Sequence, residues 1–281
     1  MTNARIGSVL GQAYLWLVIA FLFGPAILLV VFSFNESPIF ALPLTGFTFH
    51  WFGEAFADEQ MMKALGNSVK VAVPAAAIST ALGLLTALGL RGAPRYVRRA
   101  VDIVVPLPLL VPGLIWSLAL LIALSRVNLR PSMQTVLFGH VLLSLPFVVL
   151  LITTRLSSFQ REWEEAAQSL GASRSMFVRR VFVPHMLPAL LAGALMAFTI
   201  SFNDFIIAFF LTGQGFNTLP IYIYSLVRWE SSPAISAVSS MLFLFALTLF
   251  LVVAKIQGRE MAVAGRAALG GPKLEEREKT L

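Results

Sequence analysis

Asp204 is the side chain best suited by type and position to do chemistry, because it is a carboxylate inside an apolar run that extends from Leu187 to Thr212. A charge facing hydrocarbon costs roughly 2.5 to 3.5 kcal/mol on insertion scales, so the carboxylate must point into protein or a wet cavity. Ala189, Gly193, Ala197 and Ser201 recur at steps of four along the same run. Asp204, three residues after Ser201, falls on that small-residue side. Two roles fit it. In one, Asp204 with Phe202, Asn203, Tyr222 and Tyr224 lines a cation-tolerant path near the outer half of a membrane, since a carboxylate and aromatic faces both suit an alkylammonium ion. In the other it only hydrogen-bonds a neighbouring helix.

Catalytic constellations are missing from the sequence. His50, His140 and His185 are scattered without metal-ligand spacing, and neither H-E-x-x-H nor G-x-S-x-G occurs. With no cysteine there is no thiol nucleophile and no cysteine-based metal site. The phosphate-binding pattern G-x-x-x-x-G-K-[ST] is also absent. The expectation is therefore no catalytic residue, no metal and no cofactor bound by this chain.

The elements that must hold Asp204 follow from composition. Of 281 residues 58% are hydrophobic and 12% charged, with mean hydropathy +0.82; a soluble domain carries about 25% charged residues. This is an all-α membrane protein. Six runs approach the ~20 apolar residues that a helix needs to cross the bilayer: 15–34, 69–90, 101–124, 136–153, 187–212 and 235–256. The first could be mistaken for a secretory signal, but its apolar run is too long and Ser33-Phe34-Asn35-Glu36 offers no small-residue cleavage site. Placing both termini in the cytoplasm puts 16 of the 21 Lys and Arg residues inside, leaving Lys63, Lys70, Arg126, Arg130 and Arg228 outside. That agrees with the positive-inside rule. The net charge of +7 is then a topology signal, and no nucleic-acid partner is needed to explain it.

Three features mark how the spans pack. Ser79, Gly83 and Ala87 form a smooth ridge on the second, where another helix can approach closely. Pro106, Pro108 and Pro112-Gly113 should break or kink the third, which lipid tolerates only where protein or water satisfies the freed carbonyls. Outside the membrane, the segment from Asn35 to Ser68 should turn and then form a short helix around Trp51 to Ala57.

The longest polar interruption runs from Thr154 to Pro184. Trp163, Ala166, Ala167 and Leu170 fall at i, i+3, i+4 and i+7, one apolar stripe on a helix that also carries Glu162 and Glu165. The neighbouring acids would be repelled by anionic headgroups, so a groove in a protein suits the stripe better than the lipid surface. Gly171 is the residue type that ends a helix in a left-handed conformation. Ser173 can then cap a second helix, Arg174 to Phe182, which Pro184 is expected to terminate.

At these residues the chain resembles the permease subunits of bacterial ATP-binding-cassette importers that work with a solute-binding protein. Their signature, E-A-A, three residues, G, nine residues, I-x-L-P, is met by Glu165-Ala166-Ala167, Gly171 and Val181-Phe182-Val183-Pro184, with Val in place of Ile and Leu. The resemblance extends over nearly the whole chain to the spermidine and putrescine permeases. It is carried by Ser33-Phe34-Asn35, Leu145-Pro146-Phe147-Val148-Val149, Phe198 to Phe205, Leu219 to Ser225 and Ser232-Pro233-Ala234-Ile235. This chain has Asn203 where many relatives carry a second acid, so no paired-carboxylate role is carried over.

The resemblance implies a type I importer permease fold, one permease domain over 1–281 with a coupling loop at 154–186 and a tail at 257–281. It implies residence in the bacterial cytoplasmic (inner) membrane. Trp163, Glu165, Ala166, Ala167, Leu170, Gly171 and Pro184 would couple the chain to a dimer of cytoplasmic ATP-binding subunits, which use ATP and Mg. A second permease subunit, in a heterodimer, and an external solute-binding protein would complete the assembly within membrane lipid. The implied cargo is a polyamine; another cationic or amino-acid-derived solute is the alternative within the family. A secondary transporter is the alternative outside it, disfavoured by one buried acid and no visible repeated halves.

Overall fold

The computed structural model describes residues 2–37, 43–160, 162–229, 235–249, 251–252 and 255, and among them every extended element is a helix. The tail 257–281, Arg161 and Ser232 to Ala234 lie outside the described residues. The helices are α1 (Thr2–Phe32), α2 (His50–Ala57), α3 (Glu59–Arg91), α4 (Arg95–Val104), α5 (Leu107–Leu110), α6 (Gly113–Arg126) and α7 (Met133–Ser157). After the polar loop come α8 (Glu162–Ser169), α9 (Arg174–Phe177), a π turn (Val178–Phe182), α10 (Val183–Asn203), α11 (Ile206–Leu211), α12 (Leu219–Trp229) and α13 (Ile235–Leu249).

Among the described residues four helices are long and apolar enough to cross a membrane: Gly11–Phe32 within α1, α3, α7 and the run Arg174–Asn203. The third expected span is a fifth candidate, bent by 105° between Arg95–Leu110 and Gly113–Arg126. The bend lies where the prolines require it, with Val111 extended (φ −92°, ψ 131°) ahead of Pro112. The shorter α13 occupies the place of the sixth.

Two features of the region 174–212 differ from the sequence expectation. Pro184 does not end a helix: Arg174–Asn203 runs on through it. The π turn explains this, because Val183 N–H bonds back to Val178 O, widening the backbone just where the proline ring would strike a carbonyl one turn earlier. The fifth span is also not continuous from 187 to 212. It stops at Asn203, Asp204 adopts an extended conformation (φ −71°, ψ 123°), and α11 starts afresh at Ile206.

The chain divides into two compact units. One comprises the described residues of Gly66–Thr218 and those from Thr248 on. Its core is built by α3, α7 and α10 around Val148, which is fully buried. A Cβ at Gly83 would lie 2.7 Å from Val148 Cγ1, and one at Gly193 would lie 3.3 Å from the same atom. Glycine on two flanking helices thus lets both backbones close on one valine, the small-residue packing that membrane helices need in place of a solvent-driven hydrophobic effect. Ser79 Oγ and Ser144 Oγ, 2.8 Å apart, add a buried hydrogen bond between α3 and α7.

The other unit comprises Met1–Leu65 and Leu219–Leu247. Asn35, 2% exposed, organises the segment between α1 and α2. Its Oδ1 accepts Thr45 N–H at 3.0 Å, and its carbonyl accepts Trp51 Nε1–H at 2.8 Å. The rings of Phe34, Phe47, Phe49 and Phe52 pack together beside it. The short helix expected near Trp51 is α2.

Gly83→Ala should destabilise the purified protein by about 1 to 3 kcal/mol, because Val148 is β-branched and cannot swing aside. Gly89→Ala, where a Cβ meets nothing within 4 Å, should instead be neutral or stabilising by about 0.5 to 1 kcal/mol. Thermal unfolding of both variants in detergent micelles checks the opposite signs.

Candidate functional site

The polar loop is fixed to the bundle through one ring. Phe159, 4% exposed, follows the end of α7. Its ring meets Trp163 of α8 at 5.1 Å, Phe177 of α9 at 5.9 Å, Phe182 of the π turn at 5.5 Å and His185 of α10 at 5.3 Å, all edge-to-face. Such pairs each contribute about 0.5 to 1.5 kcal/mol beyond their buried area. The Arg91 guanidinium, at the end of α3, lies over the same ring at 5.1 Å and donates to Phe159 O at 3.3 Å. Phe159, Phe177, Val148 and Met186 belong to one continuous hydrophobic cluster, so the loop is an outgrowth of the core. Arg155 Nε–H donates to His185 O at 3.0 Å and ties α7 to the start of α10.

The helix α8 ends as its sequence requires. Gly171 has φ +77°, Ala172 N–H bonds to Ala167 O at 3.0 Å and Gly171 N–H to Gln168 O at 2.9 Å. This is a Schellman ending, in which the left-handed residue is best a glycine. Ser173 Oγ then accepts Met176 N–H at 3.3 Å and starts α9.

The apolar stripe does not act as a single face. Trp163 lies edge-on against Phe159 and His185, and Ala167 packs against the core cluster. Leu170 is 88% exposed, and Ala166, Glu162 and Glu165 are also exposed. Phe159 under one side of α8 captures Trp163 and Ala167, whereas Leu170 sits at the Schellman turn and projects past the packing. A cleft of about 470 Å³ beside α8 is lined by Arg91, Gly92, Glu164, Glu165 and Gln168. Pro184, in the separate continuous helix Arg174–Asn203, is exposed.

Asp204 sits at the break between α10 and α11. Its Oδ1 accepts the N–H groups of Ile207 at 2.8 Å and Ala208 at 3.2 Å, which caps α11. His140 Nε2 of α7 lies 3.3 Å from the same oxygen. Gly113, which opens α6 after its own break, faces α11, with its ideal Cβ 3.6 Å from Ile206 Cδ1. Two interrupted helices thus meet here, and irregular backbone at membrane depth occurs only where protein or a wet cavity covers it.

Two of the other expected path residues, Phe202 and Asn203, directly precede Asp204 at the end of α10. Phe202 is buried and stacks on Phe198 with ring centroids 5.4 Å apart. Asn203 is exposed, its Nδ2 donating to Thr199 O at 3.0 Å. Tyr222 and Tyr224 belong to the other unit, where the Tyr222 hydroxyl donates to Asp58 and Tyr224 is exposed. The sequence reading missed Phe159 and His140. The signal for Phe159 was an aromatic inside a polar break; that for His140 was an ionisable side chain within an apolar span.

The family described as "Binding-protein-dependent transport system inner membrane component" matches residues 79–261. The chain is 32% identical over 249 residues to the spermidine/putrescine transport system permease protein PotC of Escherichia coli (strain K12), covering 87% of this chain and 92% of the relative. It is 34% identical over 229 residues to the putrescine transport system permease protein PotI of the same organism, covering 79% and 81%. The crystal structure of a bacterial ABC transporter involved in the import of the acidic polysaccharide alginate contains a chain that superposes with TM-score 0.70 at 18% identity, over 91% of this chain and 98% of that one. At that identity the likeness is one of fold.

Replacing the hub ring should free the loop without dissolving the bundle. Phe159→Ala removes contacts that in a core contribute about 3 to 5 kcal/mol, so tryptic cleavage at Arg174 in nanodisc-embedded protein should become at least about tenfold faster. Leu170→Ala, at an exposed position, should leave the cleavage rate unchanged.

Proposed function

Because the chain belongs to the binding-protein-dependent transport system inner membrane component family, we propose that it is the permease subunit of an ATP-driven importer for a polyamine such as spermidine or putrescine. The family's permeases are multi-pass membrane subunits, not enzymes. In this reading an external binding protein delivers the solute, a second permease subunit completes the pore, and a cytoplasmic ATPase dimer supplies ATP and Mg chemistry. Alternating access then carries the solute across the inner membrane.

One observation carries the coupling part of the proposal. From the Ser173 cap to Asn203 the helix is unbroken, 30 residues in Arg174–Asn203, with the π turn bridging the proline. Of these, the 21 residues of α10 extend roughly 32 Å at 1.5 Å per residue, about the thickness of the hydrocarbon core. A displacement at α8 passes through Phe159 and the π turn into a rod whose far end is the Asp204 break. The exposed Leu170, Ala166 and Glu165, beside the cleft lined by Arg91 and Gln168, are the surface offered to the ATPase. Polyamine as cargo is supported by the names of the relatives, which cover most of the chain at 32% and 34% identity, and by the carboxylate at the helix break.

The test is co-expression with candidate ATPase, partner-permease and binding-protein subunits. The proposal expects a stable complex whose ATP turnover rises with putrescine- or spermidine-loaded binding protein, and ATP-driven uptake of that solute into proteoliposomes. Gly171→Val should abolish at least about 90% of coupled uptake, because a β-branched residue resists φ near +77°, while membrane insertion persists. Complex formation with uptake of a different solute would replace the cargo and keep the importer. Ion-driven uptake by the chain alone would overturn the importer reading.

A further inference from the structure

The fold contains a buried polar chain that the coupling loop does not use. His140, 1% exposed in α7, has Nδ1 2.7 Å from Ser201 Oγ of α10. Its other nitrogen, Nε2, points at Asp204 Oδ1 from 3.3 Å, off the line of a hydrogen bond, and has no hydrogen-bond partner among the described residues. Next to His140 on α7, a Cβ on Gly139 would meet Ile207 and Leu211 of α11 and Leu120 of α6.

The carboxylate is used unevenly. Two backbone amides and the imidazole converge on Oδ1 of Asp204, whereas Oδ2 accepts no hydrogen bond from any described residue. Asp204 is 14% exposed, so the group is reachable but mostly enclosed. A carboxylate oxygen has room for about two donors, and leaving acceptor capacity empty on a buried charge is unfavourable. Turning the carboxylate to engage Oδ2 elsewhere would uncap α11 and move Oδ1 away from His140.

We propose that His140 is a positioning residue for Asp204: anchored by Ser201, it helps hold Oδ1 inward so that Oδ2 is presented as the acceptor for one primary ammonium group of the solute. The inference rests on the cation-path reading of Asp204. It adds that one oxygen of this acid is structural and the other is for the ligand, and that α7 sets which is which. In an apolar setting the attraction between Oδ2 and an ammonium is stronger than in water, and charge-assisted hydrogen bonds are the strong ones.

Direct binding tests this without the external binding protein, whose own affinity would mask the site. Putrescine is titrated into the assembled permease–ATPase complex in nanodiscs, with sodium chloride at matched ionic strength as control, and the dose midpoint of thermal stabilisation is read. The expected midpoint rises about tenfold in His140→Ala, which removes the imidazole from beside Oδ1. It stays within about threefold of wild type in His140→Gln, whose amide N–H can replace Nε2–H. Ser201→Ala, which leaves the ring in place but unanchored, should fall between the two. A purely structural role would lower the unfolding temperature without moving the midpoint, and an unmoved midpoint in His140→Ala overturns the positioning role. If the wild-type complex shows no putrescine-specific shift, the cation reading of Asp204 fails and this proposal with it.

Discussion

The ring of Phe159 is the contact on which the rest of the arrangement depends. It is enclosed by Trp163, Phe177, Phe182 and His185, from four successive pieces of structure, and by Arg91 at the end of α3. Without it, α8 would be a short amphipathic helix with no reason to keep one position, since eight residues are too few to be stable alone. With it, α8 becomes part of a packed body. Leu170 and Glu165 remain exposed while Trp163 and Ala167 are held.

Rigidity then passes along α10, and two local devices keep that helix from failing as a rod. The π turn absorbs Pro184 at the loop end, and Gly193 against Val148 holds the middle close to α7. The rod ends abruptly at Asn203. There the backbone is extended, and the first amides of α11 find their acceptor in Asp204. Under the proposed coupling, a helix broken in this way would give a displaced rod somewhere to act, with the short α11 and the facing start of α6 shifting against α10. Hinges of this kind are a few element-terminal residues that absorb the change in φ and ψ.

Much of this was legible in the sequence. Gly171, Ser173 and the proline-rich break before Gly113 behave as their residue types dictate, because each acts through its own backbone. The ridge of Ser79, Gly83 and Ala87 also declared itself through spacing alone, and Asp204 drew attention as a charge among apolar neighbours. What stayed hidden depends on contacts between residues distant in sequence. Pro184 looked like a terminator because periodicity does not reveal a π turn. Trp163 and Leu170 looked equivalent because a helical wheel cannot show that Phe159 would lie under one and not the other. His140 is 64 residues from Asp204, and only the packing of α7 on the break brings them together.

The central claim is mechanical: movement of the loop reaches the Asp204 break because the helix between them is unbroken. The most direct measurement inserts Gly-Gly between Phe182 and Val183 and compares ATP hydrolysis with solute accumulation by the assembled transporter in proteoliposomes. Two glycines in a helix interior weaken it by roughly 1 kcal/mol each and rotate everything beyond by about 200° at 3.6 residues per turn. The account predicts continued ATP hydrolysis with solute uptake lost. Uptake per ATP equal to that of the unaltered chain would contradict it.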